Sequence, residues 1–324
     1  MGEFDLLARL RARLPPPGAR VRVASGDDAA VSVPGGATAT SVDALVDGVH
    51  FRRSVFSPAQ IGRKSLSVAL SDLAAMGAEP GEAYVALGVP EDLDEEACIE
   101  LLDGILEVAA ETGTTLAGGD LTRAPVLVIA VTVVGHSEDE EGLVTRSGAS
   151  EGDVLVVTGE LGGGAAGLLA LEGRGDGTLP REILEGLRAR QLDPRPRLAA
   201  GRALAEAGAT AMIDLSDGVA GDLRRVAEGS GVGAVVECGE IPLAAGVDDL
   251  AAAIGRDPLE LAVSGGEDYE LLAALPERAL EDARTAVEAC GLRLSRIGRI
   301  GGDEVELRLP GGGALPARGY DQLA

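Results

Sequence analysis

Seven aspartates stand out because each lies in small or apolar sequence rather than in a solvated run of charges. Several occur at predicted strand ends or in glycine-flanked turns, where burying a carboxylate is costly unless it is paired, hydrogen-bonded or bound to a metal. Mg²⁺ takes oxygen ligands and commonly bridges carboxylates to substrate phosphates. A lone aspartate at a strand end is more often a turn residue, so spacing alone leaves both interpretations open. The seven are Asp27, Asp28, Asp43, Asp72, Asp120, Asp214 and Asp217.

Asp72 is the only charged residue in the stretch Ser65–Ala78, SLSVALSDLAAMGA. The apolar side chains in this stretch recur at helical spacing, which predicts a helix that faces a protein interior. One interpretation is that Ser71 or Asp72 caps a short second helix that ends at Gly77. The other is that the helix holds Asp72 rigidly as a metal ligand. The residues with helical spacing are Leu66, Leu70, Leu73 and Met76.

The charge balance limits the kinds of partner. The net charge is −25, with 28 basic and 53 acidic residues, and this argues against a nucleic-acid partner because phosphate backbones are bound by excess Lys and Arg. Lys64 is the only lysine and no GxxxxGK[ST] motif is present, which excludes a P-loop. His50 and His136 are the only histidines, too few for a His-based metal cluster. Phosphate chemistry on this chain would therefore be led by divalent cations.

The cysteines and the apolar runs indicate a cytoplasmic protein without a membrane partner. Cys98, Cys238 and Cys290 are far apart and form no CxxC pair, which fits a reducing compartment and argues against a zinc or disulfide framework. No apolar run approaches the roughly 18 residues of a membrane span. The N-terminal segment 1–14 is amphipathic and starts acidic, unlike a secretory signal.

A length of 324 residues predicts about two domains. The alternation of short strands, helices and glycine turns predicts the α/β class, here with mixed sheets (α+β). We place the boundary in the polar segment 136–153, which gives an N-terminal domain of residues 1–147 and a C-terminal domain of residues 148–324. The predicted strands that position the acids are Ala37–Val42 before Asp43, Leu116–Asp120 with two glycines at its end, the β-branched Val126–Val134 at a sheet centre, and Ala211–Asp214.

The segment Gly162–Gly167 matches GxGxxG between a predicted strand and a helix. A dinucleotide site would require a second buried strand ending in an acid about twenty residues later. The chain continues instead into EGRGDGTLP. Close packing of helix and strand is therefore the favoured explanation for these glycines.

Nine sequence blocks, in this order and nearly end to end, resemble the thiamine-monophosphate kinase family. That family belongs to a superfamily of ATP-using enzymes with aminoimidazole ribonucleotide synthetase and selenophosphate synthetase. SDLAAMGA, GGEDYELL and VDGVHF are specific to this branch as a set, whereas any one block would be weaker. The resemblance implies the two-domain fold of aminoimidazole ribonucleotide synthetase and a homodimer built through the N-terminal domains. The blocks are GEFDLLARL, GDDAAV, SVDALVDGVHF, SLSVALSDLAAMGAEP, LAGGDLTRAP, TRSGASEGD, AMIDLSDGVAGDL, SGGEDYELL and RGYD.

The resemblance also implies roles for individual residues. Ligands of several Mg²⁺ ions would be Asp28, Ser41, Asp43, Asp72, Asp120, Asp214, Asp217 and the backbone carbonyl of Val42. ATP would be contacted by Gly119, Asp120, Arg146 and Ser216, and thiamine monophosphate by His50, Glu267 and Tyr320. Leu102 stands where relatives often carry an aromatic residue, which leaves the way adenine is held open. Considered singly, His50 would be an ordinary loop histidine, Arg146 a surface charge and Tyr320 a packing residue. The joint occurrence of the nine blocks favours the functional roles instead.

The implied activity is transfer of the γ-phosphoryl group of ATP to thiamine monophosphate, which gives thiamine diphosphate. The nucleophile would be a phosphate oxygen whose second pKa is about 6, so no catalytic base is required. Asp43, Asp72, Asp120 and Arg146 would be the catalytic residues. Two alternatives stay open: another enzyme of the superfamily, or a non-catalytic protein that binds cations or nucleotides. The absence of a cysteine before Cys98 argues against a selenophosphate synthetase.

Overall fold

A computed structural model describes residues 3–25 and 29–315 of the chain. Asp28 and Tyr320, both predicted site residues, lie outside the described residues. The chain divides into two compact units. The first comprises the described residues up to Leu73 and those from Ala78 to Glu140, and the second comprises Ala74–Gly77 and the described residues from Glu141 onward.

The first unit is built on a four-stranded mixed sheet with the strand order β3-β6-β4-β5. Strand β6 is antiparallel to both of its neighbours, and β4 and β5 are parallel. The β-branched run in β6 therefore takes an inner position, as its sequence predicts. A short antiparallel ribbon of β1 and β2 accompanies the sheet. The strands are β1 (Val21–Val23), β2 (Val31–Ser32), β3 (Ala37–Val46), β4 (Glu79–Val89), β5 (Thr115–Arg123) and β6 (Val128–Ser137).

The helices of this unit are α1 (Glu3–Arg11), α2 (Pro58–Ala75) and α3 (Glu95–Thr112). Helix α2 runs without a break through Asp72, so the interpretation that Ser71 or Asp72 caps a second helix is wrong. Helices α2 and α3 meet backbone to backbone at two glycines. A Cβ on Gly62 would lie 2.0 Å from the carbonyl oxygen of Leu101, and one on Gly104 would lie 2.0 Å from that of Ala59.

The two faces of the four-stranded sheet differ in burial. On one face, Ile129, Val131 and Val133 of β6 are fully buried, and a Cβ on Gly135 would meet the side chain of Leu73 from α2. The residues of β3 on the opposite face are exposed, and Val42 is the most exposed large apolar residue among them at 63%. Helix α2 thus packs on one face of this sheet, and the outer side of β3 on the other face is exposed.

The second unit contains a seven-stranded sheet with the order β13-β12-β9-β11-β7-β10-β8. Its inner strands β7 and β10 are buried along their whole length, which their continuous apolar sequences explain. The strands are β7 (Val154–Thr158), β8 (Ala211–Asp214), β9 (Ala234–Glu237), β10 (Leu271–Leu275), β11 (Leu294–Ile300), β12 (Val305–Arg308) and β13 (Ala314–Leu315). The helices are α4 (Gly163–Leu171), α5 (Arg181–Leu192), α6 (Leu198–Glu206), α7 (Val219–Ser230), α8 (Val247–Ile254), α9 (Pro258–Ser264) and α10 (Leu280–Ala289).

The prediction of an α/β class with mixed sheets is confirmed. Two predicted strand ends are wrong, however. Asp43 lies within β3, whose ladder with β6 continues to Val46, and Asp120 lies within β5, which continues beside β4 to Arg123. Strand β7 is antiparallel to both β10 and β11, so the glycine-rich turn after it does not belong to a parallel βαβ unit of the dinucleotide-binding kind. Across the described ranges, no helix has the length and apolar character needed to cross a membrane.

Candidate active site

Strand β3 and helix α2 bring three of the predicted metal ligands together. Successive side chains of a strand point to opposite faces, so Ser41 and Asp43 share one face of β3 and the exposed side chain of Val42 lies on the other. The Ser41 hydroxyl donates a hydrogen bond to the Asp72 carboxylate. Burial, and then the negative charge of Asp72, raise the pKa of Asp43 to about 6. The side chain of Val42 points away from this cluster, which leaves only its backbone carbonyl for the predicted role.

The cluster fits part of a Mg²⁺ shell. Its carboxylate and hydroxyl oxygens are the ligands that this hard cation prefers, and two neighbouring carboxylates repel each other until a positive charge lies between them. Within residues 3–25 and 29–315, no three His, Cys, Asp or Glu side chains lie close enough to hold a metal by themselves. Mg²⁺ usually keeps several waters and substrate phosphates as ligands, so a partial protein shell is compatible with such a site.

Gly119 and Asp120 lie on β5 beside a cavity of about 110 Å³. Gly119 lies within the β4–β5 ladder, where a Cβ would be 2.1 Å from the carbonyl oxygen of Val85, so only glycine allows this close approach. The cavity walls are largely aliphatic, and Leu102 is among them. The lining includes Leu7 and Leu10 from α1, Leu14 from the segment after α1, Leu101, Leu102 and Ile105 from α3, and Leu116, Gly119, Asp120 and Leu121 from β5.

His50 lies in the loop that follows β3. The backbone N–H of Val46 donates to its Nδ1 at 3.1 Å, so the neutral ring carries its proton on Nε2. The loop is braced by Asp47, whose carboxylate accepts hydrogen bonds from the backbone N–H and from Nε of Arg53 at 3.2 and 2.7 Å. This geometry makes the His50 ring a hydrogen-bond donor at Nε2, which suits an anionic ligand.

In the second unit, the predicted ligands Asp214 and Asp217 flank the end of β8. Asp214 is buried at the last position of that strand. The Asp217 carboxylate accepts a hydrogen bond of 2.5 Å from Nη2 of Arg225. Arg225 also forms an ion pair with a second acid, Asp222, whose side chain is fully buried.

Asp222 and Arg225 were missed by the sequence reasoning. Asp222 accepts hydrogen bonds from the backbone N–H of Asp217 at 3.0 Å and from Nη1 of Arg225 at 2.9 Å. Burial raises the pKa of Asp222 to about 7, while the hydrogen bond from Asp217 and the charges of Arg225 and Arg146 oppose that rise. The predicted ATP contact Arg146 is thus within electrostatic reach of this acid. An acid and an arginine three residues apart in the first turns of α7 were the available signal.

Ser216 and Glu267, from different predicted subsites, are joined directly. The backbone N–H of Glu267 donates a hydrogen bond to the carbonyl oxygen of Ser216 at 2.8 Å. The backbone N–H of Tyr269 donates one to the carbonyl oxygen of Leu215 at 2.9 Å. A Cβ on Gly266 would lie 2.3 Å from the Ser216 carbonyl oxygen. The loop after β8 and the loop before β10 therefore form one connected structure.

Comparisons with known proteins agree with these features. Residues 26–137 match the N-terminal domain of AIR synthase related protein, and residues 150–309 match its C-terminal domain. The thiamine-monophosphate kinase of Mycobacterium tuberculosis (strain ATCC 25618 / H37Rv) is 42% identical over 278 residues, which cover 84% of this chain and 80% of that protein.

Two solved structures show the same relationship. The crystal structure of thiamine-monophosphate kinase from Stenotrophomonas maltophilia K279a has a TM-score of 0.83 and 34% identity, and the match covers 96% of this chain and 98% of that one. AaThiL complexed with AMPPCP and TMP has a TM-score of 0.78 and 27% identity, with 98% and 96% covered. The family resemblance deduced from the sequence blocks is confirmed, and the chain belongs to the thiamine-monophosphate kinase family, within the AIR synthase related proteins.

Proposed function

We propose that this protein transfers the γ-phosphoryl group of ATP to the phosphate of thiamine monophosphate, which yields thiamine diphosphate and ADP in thiamine diphosphate biosynthesis. The observation that carries the proposal is the Ser41–Asp43–Asp72 cluster on β3 and α2, in a chain of this family. A related protein has been solved as a complex with AMPPCP and TMP, which supports a nucleotide and a thiamine phosphate as the two substrates.

The proposed metal is Mg²⁺, in several ions. Bound there, it would supply positive charge that neutralises and aligns the phosphate groups. Asp43 and Asp72 would hold it on rigid elements, with the Ser41 hydroxyl fixing the Asp72 carboxylate. The other proposed oxygen ligands are the Ser41 hydroxyl, Asp28, Asp120, Asp214, Asp217 and the backbone carbonyl of Val42.

The remaining residues have the roles that the family resemblance implies. The attacking phosphate oxygen is largely deprotonated at neutral pH, since its second pKa is about 6. His50 would therefore act as a hydrogen-bond donor from Nε2 rather than as a base. Arg146 adds a fixed positive charge, and Gly119 and Ser216 contact the nucleotide. Glu267 and Tyr320 line the thiamine site.

Adenine is assigned to the aliphatic cavity that contains Leu102. A flat, apolar base gains from burial between aliphatic walls even where no aromatic ring stacks on it. The walls from α1 and α3 support this assignment. The domain of residues 1–147 would thus carry metal, ATP and the dimer interface, and the domain of residues 148–324 would complete the active site.

A homodimer, a cytoplasmic location and the absence of nucleic-acid and membrane partners belong to the same proposal. The exposed outer side of β3 supports an interface on the four-stranded sheet, because its small and apolar side chains suit packing against a second sheet. The net charge of −25 argues against binding to nucleic acid. Three cysteines without a disulfide fit a reducing compartment.

The direct test is to incubate the purified protein with ATP, Mg²⁺ and thiamine monophosphate and to separate the products by chromatography. We expect thiamine diphosphate and ADP in equal amounts. The variant Asp72→Asn should lose transfer by about 10²–10³-fold or more, because the isosteric amide removes the charge that holds the cation. Its circular dichroism spectrum and melting temperature should stay close to those of the wild type.

Asp282→Asn is the matched control, since Asp282 lies exposed in the first turn of α10. It should retain wild-type turnover. Near-normal turnover by Asp72→Asn would reject the metal assignment. If the wild type forms no thiamine diphosphate, the protein is another enzyme of the superfamily or a binding protein.

A further inference from the structure

The loop that carries Glu267 has an unusual backbone. Glu267 and Tyr269 have φ values of +58° and +51°, and they are the non-glycine residues of the described chain with positive φ. This left-handed region costs free energy for any side chain with a Cβ, so it persists only where the surroundings impose it. Two such residues within three positions indicate a loop that is held in place rather than one that relaxes.

The glycine-rich turn before α4 is one of the restraints on this loop. The Asp268 carboxylate accepts hydrogen bonds from the backbone N–H groups of Gly162 and Gly164 at 2.7 and 2.9 Å. A Cβ on Gly164 would lie 2.3 Å from the carbonyl oxygen of Glu267. The N-terminal donors of α4 are therefore used by the chain's own carboxylate, and the glycines are needed for the close approach of the loop.

Gln191 restrains the Glu267 side chain. This residue is 1% exposed in the last turn of α5, and its Nε2 donates to Oε2 of Glu267 at 2.5 Å. Helices α4 and α5 touch at Gly167, where a Cβ would lie 2.3 Å from the Leu187 carbonyl oxygen and 2.8 Å from Cβ of Gln191. The amide of Gln191 is thus delivered from a fixed helix. Since an amide carries no net charge, this contact orients the carboxylate without neutralising it.

We propose that Gln191 is a positioning residue, which holds the Glu267 carboxylate in the orientation that receives the cationic thiazolium ring of thiamine monophosphate. The inference rests on the proposed function, which assigns Glu267 to the thiamine site. A carboxylate that is already held in place loses no side-chain entropy when the substrate binds. Its charge attracts a permanently cationic ring more strongly than a neutral ring of the same shape. Gln191 and the strained loop together therefore determine selectivity for a cationic substrate.

The test compares the wild type with Gln191→Met, Glu267→Gln and the control Arg188→Met. Methionine has about the length of glutamine but no donor. Arg188 lies on the same helix, and its guanidinium bonds to the Ala170 carbonyl oxygen and to Asp176, away from Glu267. For each protein, kcat and the KM values for ATP and thiamine monophosphate are measured. The same is done with the 3-deaza analogue of thiamine monophosphate, whose thiophene ring is uncharged.

We expect Gln191→Met to raise the KM for thiamine monophosphate about tenfold, the usual effect of losing one hydrogen bond to a charged group. Its kcat and its KM for ATP should stay within about twofold. The preference for the cationic substrate over the thiophene analogue should fall in Gln191→Met and be lost in Glu267→Gln, whereas Arg188→Met should keep it.

An unchanged preference in Gln191→Met or in Glu267→Gln would overturn the proposal. A fall in kcat together with a lower melting temperature, at constant preference, would also overturn it, because that pattern marks a structural role alone. If the wild type shows no turnover, the proposed function fails, and equilibrium dialysis of the two ligands then gives the same comparison. Failure of the wild type to bind thiamine monophosphate would overturn both proposals.

Discussion

Two different causes act on the carboxyl group of Asp43. Burial is the larger one and the negative charge of Asp72 is the smaller one, and together they raise its pKa to about 6. Both residues belong to regular elements, β3 and α2, so their backbones cannot move apart without disturbing those elements. Protonation of Asp43 relieves this repulsion, and a dication between the groups would relieve it as well.

The Asp43 pKa gives a prediction at the scale of one residue. In Asp72→Asn, with metals removed by EDTA, the pKa of Asp43 should fall below 6 but stay above 3.8, because the repulsion is lost while burial remains. The measurement is a carboxyl ¹³C NMR titration of both proteins. The control Asp282→Asn should leave the Asp43 pKa at its wild-type value. An unchanged pKa in Asp72→Asn would mean that the two carboxylates do not interact.

The raised pKa of Asp43 also determines how the stability of the protein changes with pH. The pKa of Asp43 in the folded protein lies above the ordinary value of 3.8, so the folded state binds the proton more tightly than the unfolded state. The resulting contribution to stability is fully present below pH 3.8. The contribution is lost as the pH rises through about 6. Urea unfolding between pH 4 and 7 should therefore show a smaller loss of stability in Asp72→Asn than in the wild type.

At the scale of elements, the position of Asp72 depends on the crossing of α2 and α3. Gly62 and Gly104 allow the two helix backbones to approach so closely that no side chain fits at either position. Hydrogen bonding of α3 is completed at its ends by the Asp94 side chain and by Gly113, whose φ is +74°. The helix that carries the candidate metal ligand is therefore fixed by backbone contact as well as by its apolar side chains.

Gly104→Ala should destabilise the protein by about 1–3 kcal/mol, because its Cβ would overlap the Ala59 carbonyl oxygen and push the helices apart. The matched control is Gly186→Ala in α5, where nothing lies within 4 Å of the added Cβ. There alanine should stabilise by about 0.4–1 kcal/mol through its higher helix propensity. Urea unfolding at one pH measures both changes. Equal effects of the two substitutions would contradict the close crossing.

These elements also show what the sequence could predict. Apolar periodicity predicted α2 and the buried β7 because both patterns are local. It placed Asp43 and Asp120 at strand ends, since the length of β3 and β5 depends on pairing with β6 and β4, which no local pattern reveals. Gln191 was missed for the same reason: its role depends on Glu267, which lies 76 residues away in the chain.

At the scale of the whole molecule, the outer side of the four-stranded sheet and the charge of the chain oppose each other. Thr38, Thr40, Val42 and Ala44 present small or apolar groups to solvent, a surface suited to packing against a second sheet. A net charge of −25 on each copy disfavours association at long range. At physiological salt such repulsion is screened beyond about 8 Å, so contact at the sheet can prevail.

The proposed homodimer is tested by placing a charge on this face. Sedimentation equilibrium in about 0.15 M salt should give the wild type twice the chain mass of 32.7 kDa. Thr40→Glu, on the exposed side of β3 opposite Val134, should shift the protein towards the monomer, since an unpaired buried charge costs several kcal/mol. Thr285→Glu on the exposed surface of α10 is the matched control and should remain dimeric. A wild type that stays monomeric at every concentration would refute the homodimer, and a dimer that withstands Thr40→Glu would place the interface on another surface.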